Sequence, residues 1–148
     1  MATLYGVNRT LKRTGTVNTI DPQESGAKLR WFYDSYTFLT TEAAADVIQL
    51  FGEDLPLGAR IVDWAIDHGD LANNRTLSFG TLASAAGLMA ATDCGAAADK
   101  KNMNDHGVSL TLGFEIDEAN DQILTLTLAG GAAAAVVVRV AVLVAMPA

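Results

Sequence analysis

Three segments towards the C-terminus alternate apolar residues with small or polar ones at a strict period of two. In Val108–Ile116 the apolar positions are Val108, Leu110, Leu112, Phe114 and Ile116, with Ser109, Thr111, Gly113 and Glu115 between them. Leu124, Leu126 and Leu128 repeat the pattern against Thr125 and Thr127, and valine stands at every even position from Val136 to Val144. Side chains two apart lie on one face of a strand, so each segment predicts a strand with one face in a core. Asp117–Asp121 then reads as the hairpin turn between the first two.

The preceding chain carries weaker signals of the same kind. Leu29–Phe38 is aromatic-rich, as an early strand should be, with Asp34-Ser35 as a bend or bulge. Its aromatics either pack in the core or form an exposed oligomer face. Asp46–Phe51 predicts a second strand, although Thr41 could also cap a short helical turn. The loop Gly52–Gly58 reverses the chain into a strand over Arg60–Asp67, with Val62, Trp64 and Ile66 sharing one face. Thr76–Leu82 follows, with Leu77 and Phe79 inward. A short helix over Cys94–Asn102 fits Asp93 as its cap, the run Ala96–Ala98, and Lys100 and Lys101 at its negative end. The rest of the small-residue stretch 83–107 has no pattern that assigns it a role.

Seven or eight strands in one domain imply two packed sheets, an all-β sandwich over residues 28–148. The expected core includes Trp64, Phe79, Leu110, Leu112, Phe114, Leu124, Leu126, Val138 and Val140. Residues 1–27 lack periodicity, carry Gly6, Gly15 and Gly26, and read as an extended N-terminal arm. A chain of 148 residues suffices for one self-sufficient core.

Charge divides along the same boundary. Residues 1–30 sum to +3, through Arg9, Lys12, Arg13, Lys28 and Arg30, whereas the remainder sums to −10. A basic arm on an acidic body suits an anionic protein surface. Nucleic acid is not expected as a partner, because the body repels phosphate and the arm offers few cations. Met1–Arg9 shows no secretory pattern, so the chain is expected to begin inside a cell. The apolar stretch Ala129–Ala148 holds Arg139 and many β-branched residues, which favours a strand over a membrane span. The single Cys94 allows no internal disulfide and reads as a small buried filler.

Candidate chemistry is sparse. Asp63, Asp67, His68 and Asp70 gather near a strand end, but no His-x-His or His-Glu-x-x-His spacing accompanies them, and a solvated loop is the expectation. Asp117, Glu118, Asn120 and Asp121 lack the register of a calcium loop. His106 is expected at a surface turn. No catalytic, metal or cofactor signature emerges, and the chain is expected not to be an enzyme.

The opening Met1–Thr10, then Tyr33-Asp34-Ser35-Tyr36, Asp46–Phe51, Leu55–Ile61 and Leu77-Ser78-Phe79-Gly80 together resemble small virion structural proteins of tailed bacteriophages. The resemblance implies a head decoration, or cement, protein with a jelly-roll-like sandwich. It implies attachment to the major capsid protein on the capsid surface, commonly as a homotrimer, after synthesis in the host cytoplasm. By the same resemblance Tyr5, Arg9, Lys12 and Arg13 are assigned to capsid or protomer contacts. The rival readings are a head-fibre or host-attachment module that binds carbohydrate, and a small cupin-like enzyme. Trp31 and Trp64 within expected strands weigh against the first, and two isolated histidines against the second.

Overall fold

The computed structural model describes residues 2–6, 29–72, 74–108, 113–130 and 134–147. Among these, ten strands form two sheets: β1 (Thr3–Tyr5), β2 (Leu29–Thr37), β3 (Val47–Gln49), β4 (Arg60–His68), β5 (Thr76–Thr81), β6 (Met89–Asp93), β7 (Asp99–Asn102), β8 (Phe114–Glu115), β9 (Leu124–Ala129) and β10 (Val137–Ala145). One short helix, α1 (Met103–His106), follows β7. The first sheet runs β1-β3-β9-β5-β6, and the second runs β2-β10-β4-β7 with β8 also pairing β4. The protein is an all-β sandwich.

The C-terminal valines explain the second sheet. β10 pairs antiparallel with β2 along all nine of its residues and with β4 on its other side. A central strand must satisfy two neighbours, and β-branched residues suit that pleated surface. Val138, Val140, Val142 and Val144 point into the core, where they meet Leu124, Leu126 and Leu128 of β9 in the opposite sheet as parts of one buried cluster. Trp64 and Phe79 join the sheets edge to face, with ring centroids 5.4 Å apart. Of the expected core, Trp64, Phe79, Leu124, Leu126, Val138 and Val140 are buried and Phe114 packs partly buried against them. Leu110 and Leu112 lie outside the described residues.

Several expectations need correction. Val62 is not on the buried face of β4: the register slips between Leu143 and Val144 of β10, so Asp63 and Ile61 are the successive partners and Val62 is the extra residue. This bulge turns Ile61 inward instead, alongside Trp64 and Ile66. β2 passes through Asp34-Ser35 without interruption, so no bulge lies there. Residues Asp99–Asn102 are strand rather than helix because they pair with Ala65–His68 of β4. The helix begins only at Met103, where the Asn102 side chain accepts from the Asp105 N–H at 3.0 Å. Asp93 instead accepts from the Gly95 N–H at 2.8 Å, closing a turn. Asp117–Asp121 is no hairpin either. β8 belongs to the second sheet and β9 to the first, so the segment crosses between sheets through a 3₁₀ turn at Ala119–Gln122.

β1 pairs in parallel with β3, Thr3 to Tyr5 opposite Val47 to Gln49. Residues 7–28 lie outside the described residues. Ala129–Ala148 contains β10, and no described helix is long and apolar enough to cross a membrane.

Candidate functional site

Period-two geometry gives β2 two chemically distinct faces. Phe32 and Asp34 are buried, whereas Leu29, Trp31 and Tyr33 are exposed on the outer surface of the second sheet. Trp31 is 44% exposed and Tyr33 60%, and their rings stack with centroids 5.9 Å apart and planes 23° from parallel. The aromatic strand is thus both core and surface, divided between odd and even positions.

Antiparallel register carries this face across the sheet in rows. Tyr33 stands opposite Ala141, which stands opposite Ala65 and then Asn102. The next row is Ser35, Arg139, Asp67 and Lys100. Two alanines at the centre, between longer side chains, leave a trough of about 450 Å³ bounded by Tyr33 on one flank and by Asp67, Lys100 and Arg139 on the other. Arg139 Nη1 lies 3.9 Å from Asp67 Oδ2, and both side chains are more than half exposed. Such a loose surface pair contributes little to stability and leaves both groups accessible to a ligand.

Behind the face, Asp34 fixes the β2 edge. Its carboxylate accepts from the Ser35 N–H at 2.8 Å and from the Phe51 N–H at 2.7 Å. Phe51 has φ +62°, a strained region for a bulky side chain, and packs edge to face on Phe32 at 5.9 Å. Together these contacts hold Gly52 and Glu53 beside Trp31, where they line a smaller recess.

A buried polar network ties β1 to the loop before β3. Asp46 accepts from the Ala2 and Ala43 N–H groups, each at 2.8 Å. Glu42 accepts from the Tyr36 hydroxyl at 2.8 Å and the Leu39 N–H at 2.7 Å, while the fully buried Arg75 donates to the Glu42 carbonyl at 3.2 Å. Burial pushes the Glu42 carboxyl up, but hydrogen bonds from Leu39 and Tyr36 and the charge of Arg75 bring it below its usual range. Hydrogen bonds from Ala2 and Ala43 hold Asp46 low in the same way. The Tyr36 hydroxyl is raised by burial and by its bond to Glu42.

The carboxylate and histidine cluster read near the end of β4 is divided by the strand. His68 points into the core with Nδ1 2.8 Å from the Gly69 carbonyl oxygen, to which it donates, whereas Asp63 and Asp67 face outward and Asp70 caps the Ala72 N–H at 2.8 Å. A solvated loop was the wrong expectation for His68. Among the described residues no group of three potential ligands gathers at one point. Asp121 is buried and accepts from the Thr81 hydroxyl at 2.6 Å. Cys94 is buried, and burial pushes its thiol up to about 11, so it is not a poised thiolate. Tyr5 ends β1 half-buried opposite Gln49. Arg9, Lys12 and Arg13 lie outside the described residues.

No protein-family model matches the chain, and no curated protein matches it in sequence. A chain of the Ralstonia phage GP4 capsid matches in structure with a TM-score of 0.72 at 19% identity, over 99% of this chain and 99% of that one. A chain of the cyanophage Pam1 capsid asymmetric unit matches with a TM-score of 0.65 at 22% identity, over 90% of this chain and 96% of that one. This fold occurs in phage capsids. At such identities the likeness is one of architecture, and it extends over both sheets rather than one local motif.

The outer-face residues were separable from the sequence only in part. The period of β2 puts Leu29, Trp31 and Tyr33 on one face, but nothing local marks that face as the exposed one. Ala65 and Ala141 gave no signal at all, because their effect depends on being neighbours across β4 and β10.

Proposed function

We propose that this protein is a bacteriophage virion structural protein that decorates the outer surface of an assembled head and stabilises it. The observation that carries the reading is the match, over 99% of both chains, to a chain of a phage capsid. Strand order supports it: β2-β10-β4-β7 faces β3-β9-β5-β6, and the chain repeatedly passes from one sheet to the other. This order supports a jelly-roll reading, an architecture used by virion proteins.

The mechanism is associative. A protein that bridges subunits of the major capsid protein adds buried interface to the closed shell and none to the dissociated one. It therefore shifts the equilibrium towards the intact head by mass action. A homotrimer on the capsid surface suits this role, with the basic segment around Arg9, Lys12 and Arg13, and Tyr5 at its start, making capsid or protomer contacts. The acidic body, at −10 beyond residue 30, leaves that segment as the part suited to an anionic shell. Synthesis in the host cytoplasm agrees with a single buried thiol.

The test is addition of purified protein to pre-assembled, undecorated heads of the same phage. Saturable co-sedimentation, and a higher temperature for head disruption, are expected. Absence of binding, or a monomeric and unpaired arrangement on the particle, would count against the decoration and trimer readings respectively.

A further inference from the structure

We infer that the trough on the outer face of the β2-β10-β4-β7 sheet is a binding site for a pyranose saccharide, a function separate from attachment to a shell. A sugar ring presents an apolar face of C–H groups and a rim of hydroxyls that both donate and accept. Its site therefore needs an accessible aromatic plane beside a line of mixed donors and acceptors, on a support stiff enough to keep them in place.

Each requirement is met by residues that the fold itself positions. Trp31 and Tyr33 stack on one strand, with Tyr33 as the wall of the trough. Aromatic side chains have few torsions to freeze, so an exposed pair on a paired strand binds at low entropic cost. Ala65 and Ala141 make the floor, low enough for a ring to settle against the sheet, and the volume of about 450 Å³ lies in the range of small-ligand sites. Ser35, Arg139, Asp67 and Lys100 then stand side by side across four strands. Arg139 and Lys100 donate, Asp67 accepts, and Ser35 does both. Alternating donors and an acceptor at strand spacings of about 4.8 Å offer partners to hydroxyls spread over a ring and its linked neighbour.

The same chemistry argues against other ligands. One outward carboxylate flanked by two cations repels a divalent metal ion. A phosphate polymer would meet Asp67 in the middle of the row and the acidic body around it. A single carboxylate on the saccharide would be tolerated, since cations outnumber Asp67 in this row.

An array of purified oligosaccharides covering gluco-, galacto-, manno-, N-acetylglucosamine- and uronate-containing pyranoses, followed by calorimetric titration of the strongest binder, tests the assignment. At least one saturable ligand is expected. Tyr33→Ala and Asp67→Ala should each weaken it by about tenfold or more, the scale of one lost stacking or charged contact. Ala65→Leu should abolish binding by filling the floor while removing no polar group. Thermal transitions and decoration of heads should stay at the wild-type level in all three. Failure of every array member, or wild-type saccharide binding by the Ala65→Leu variant, overturns the inference. Loss of head decoration on Tyr33→Ala would also overturn it, since the face would then be a protein contact.

Discussion

Leu126→Ala tests the sandwich at its centre. Leu126 is fully buried on β9, the middle strand of the first sheet, with Ile48 of β3 and Phe79 of β5 as its register partners. The substitution removes three carbons, and at roughly 0.8 kcal/mol per buried methylene the transfer cost alone is about 2–2.5 kcal/mol. Partners on both sides are held by backbone pairing, which limits collapse into the space left behind. The cavity contribution should therefore raise the loss to about 3–4 kcal/mol, within the span found for such truncations. For a chain of this size that corresponds to a fall in Tm of roughly 6–15 °C. Urea titration by tryptophan fluorescence should show a lower midpoint at an unchanged slope, because the surface exposed on unfolding hardly alters. A loss under about 1 kcal/mol would refute the placement of β9 between β3 and β5.

Four further outcomes are expected. Thr125 is buried and its hydroxyl has no partner among the described residues, so Thr125→Val should leave stability unchanged or raise it by up to about 2 kcal/mol in the same urea assay. Glu42 and Asp46 titrate below their usual range when folded, so the unfolded chain binds protons first as pH falls. Their stabilisation is present above the ordinary carboxylate range and lost as pH drops through the folded values, and the double variant Glu42→Gln, Asp46→Asn should show a flatter acid limb in urea midpoints measured across pH. Gly6→Ala should detach β1, since a methyl there collides with the Asp34 carboxylate, and hydrogen exchange at Thr3–Tyr5 should accelerate. Replacing Arg9, Lys12 and Arg13 with glutamine should weaken head decoration, with a smaller salt dependence than wild type and an unchanged thermal transition.

What the sequence disclosed followed from local periodicity, and what it hid followed from pairing. The valines of β10 and the leucines of β9 announce their buried faces because each alternation is unbroken. Val62 misled because a bulge against β10 shifts the phase of β4, and no residue within β4 marks the extra position. The Ala96–Ala98 run and the two lysines favour helix intrinsically, yet pairing of Asp99–Asn102 with β4 outweighs a propensity of a few tenths of a kcal/mol per residue. Asp34 looked like a turn residue, and its true place is inside, closing two backbone donors. The trough was least legible of all, since its parts come from β2, β4, β7 and β10 and its floor consists of alanines.

The position of β10 also sets when this protein can begin to exist. β2 and β4 touch each other only through β10, which is encoded after every other strand of their sheet. While the chain is still emerging from the ribosome, half of the sandwich therefore has no central strand to close on. Folding must wait for residues 137–145 and then join partners about a hundred positions apart, a slow and highly non-local step. Translation products that stop short of β10 cannot assemble the second sheet, so they present no finished outer face.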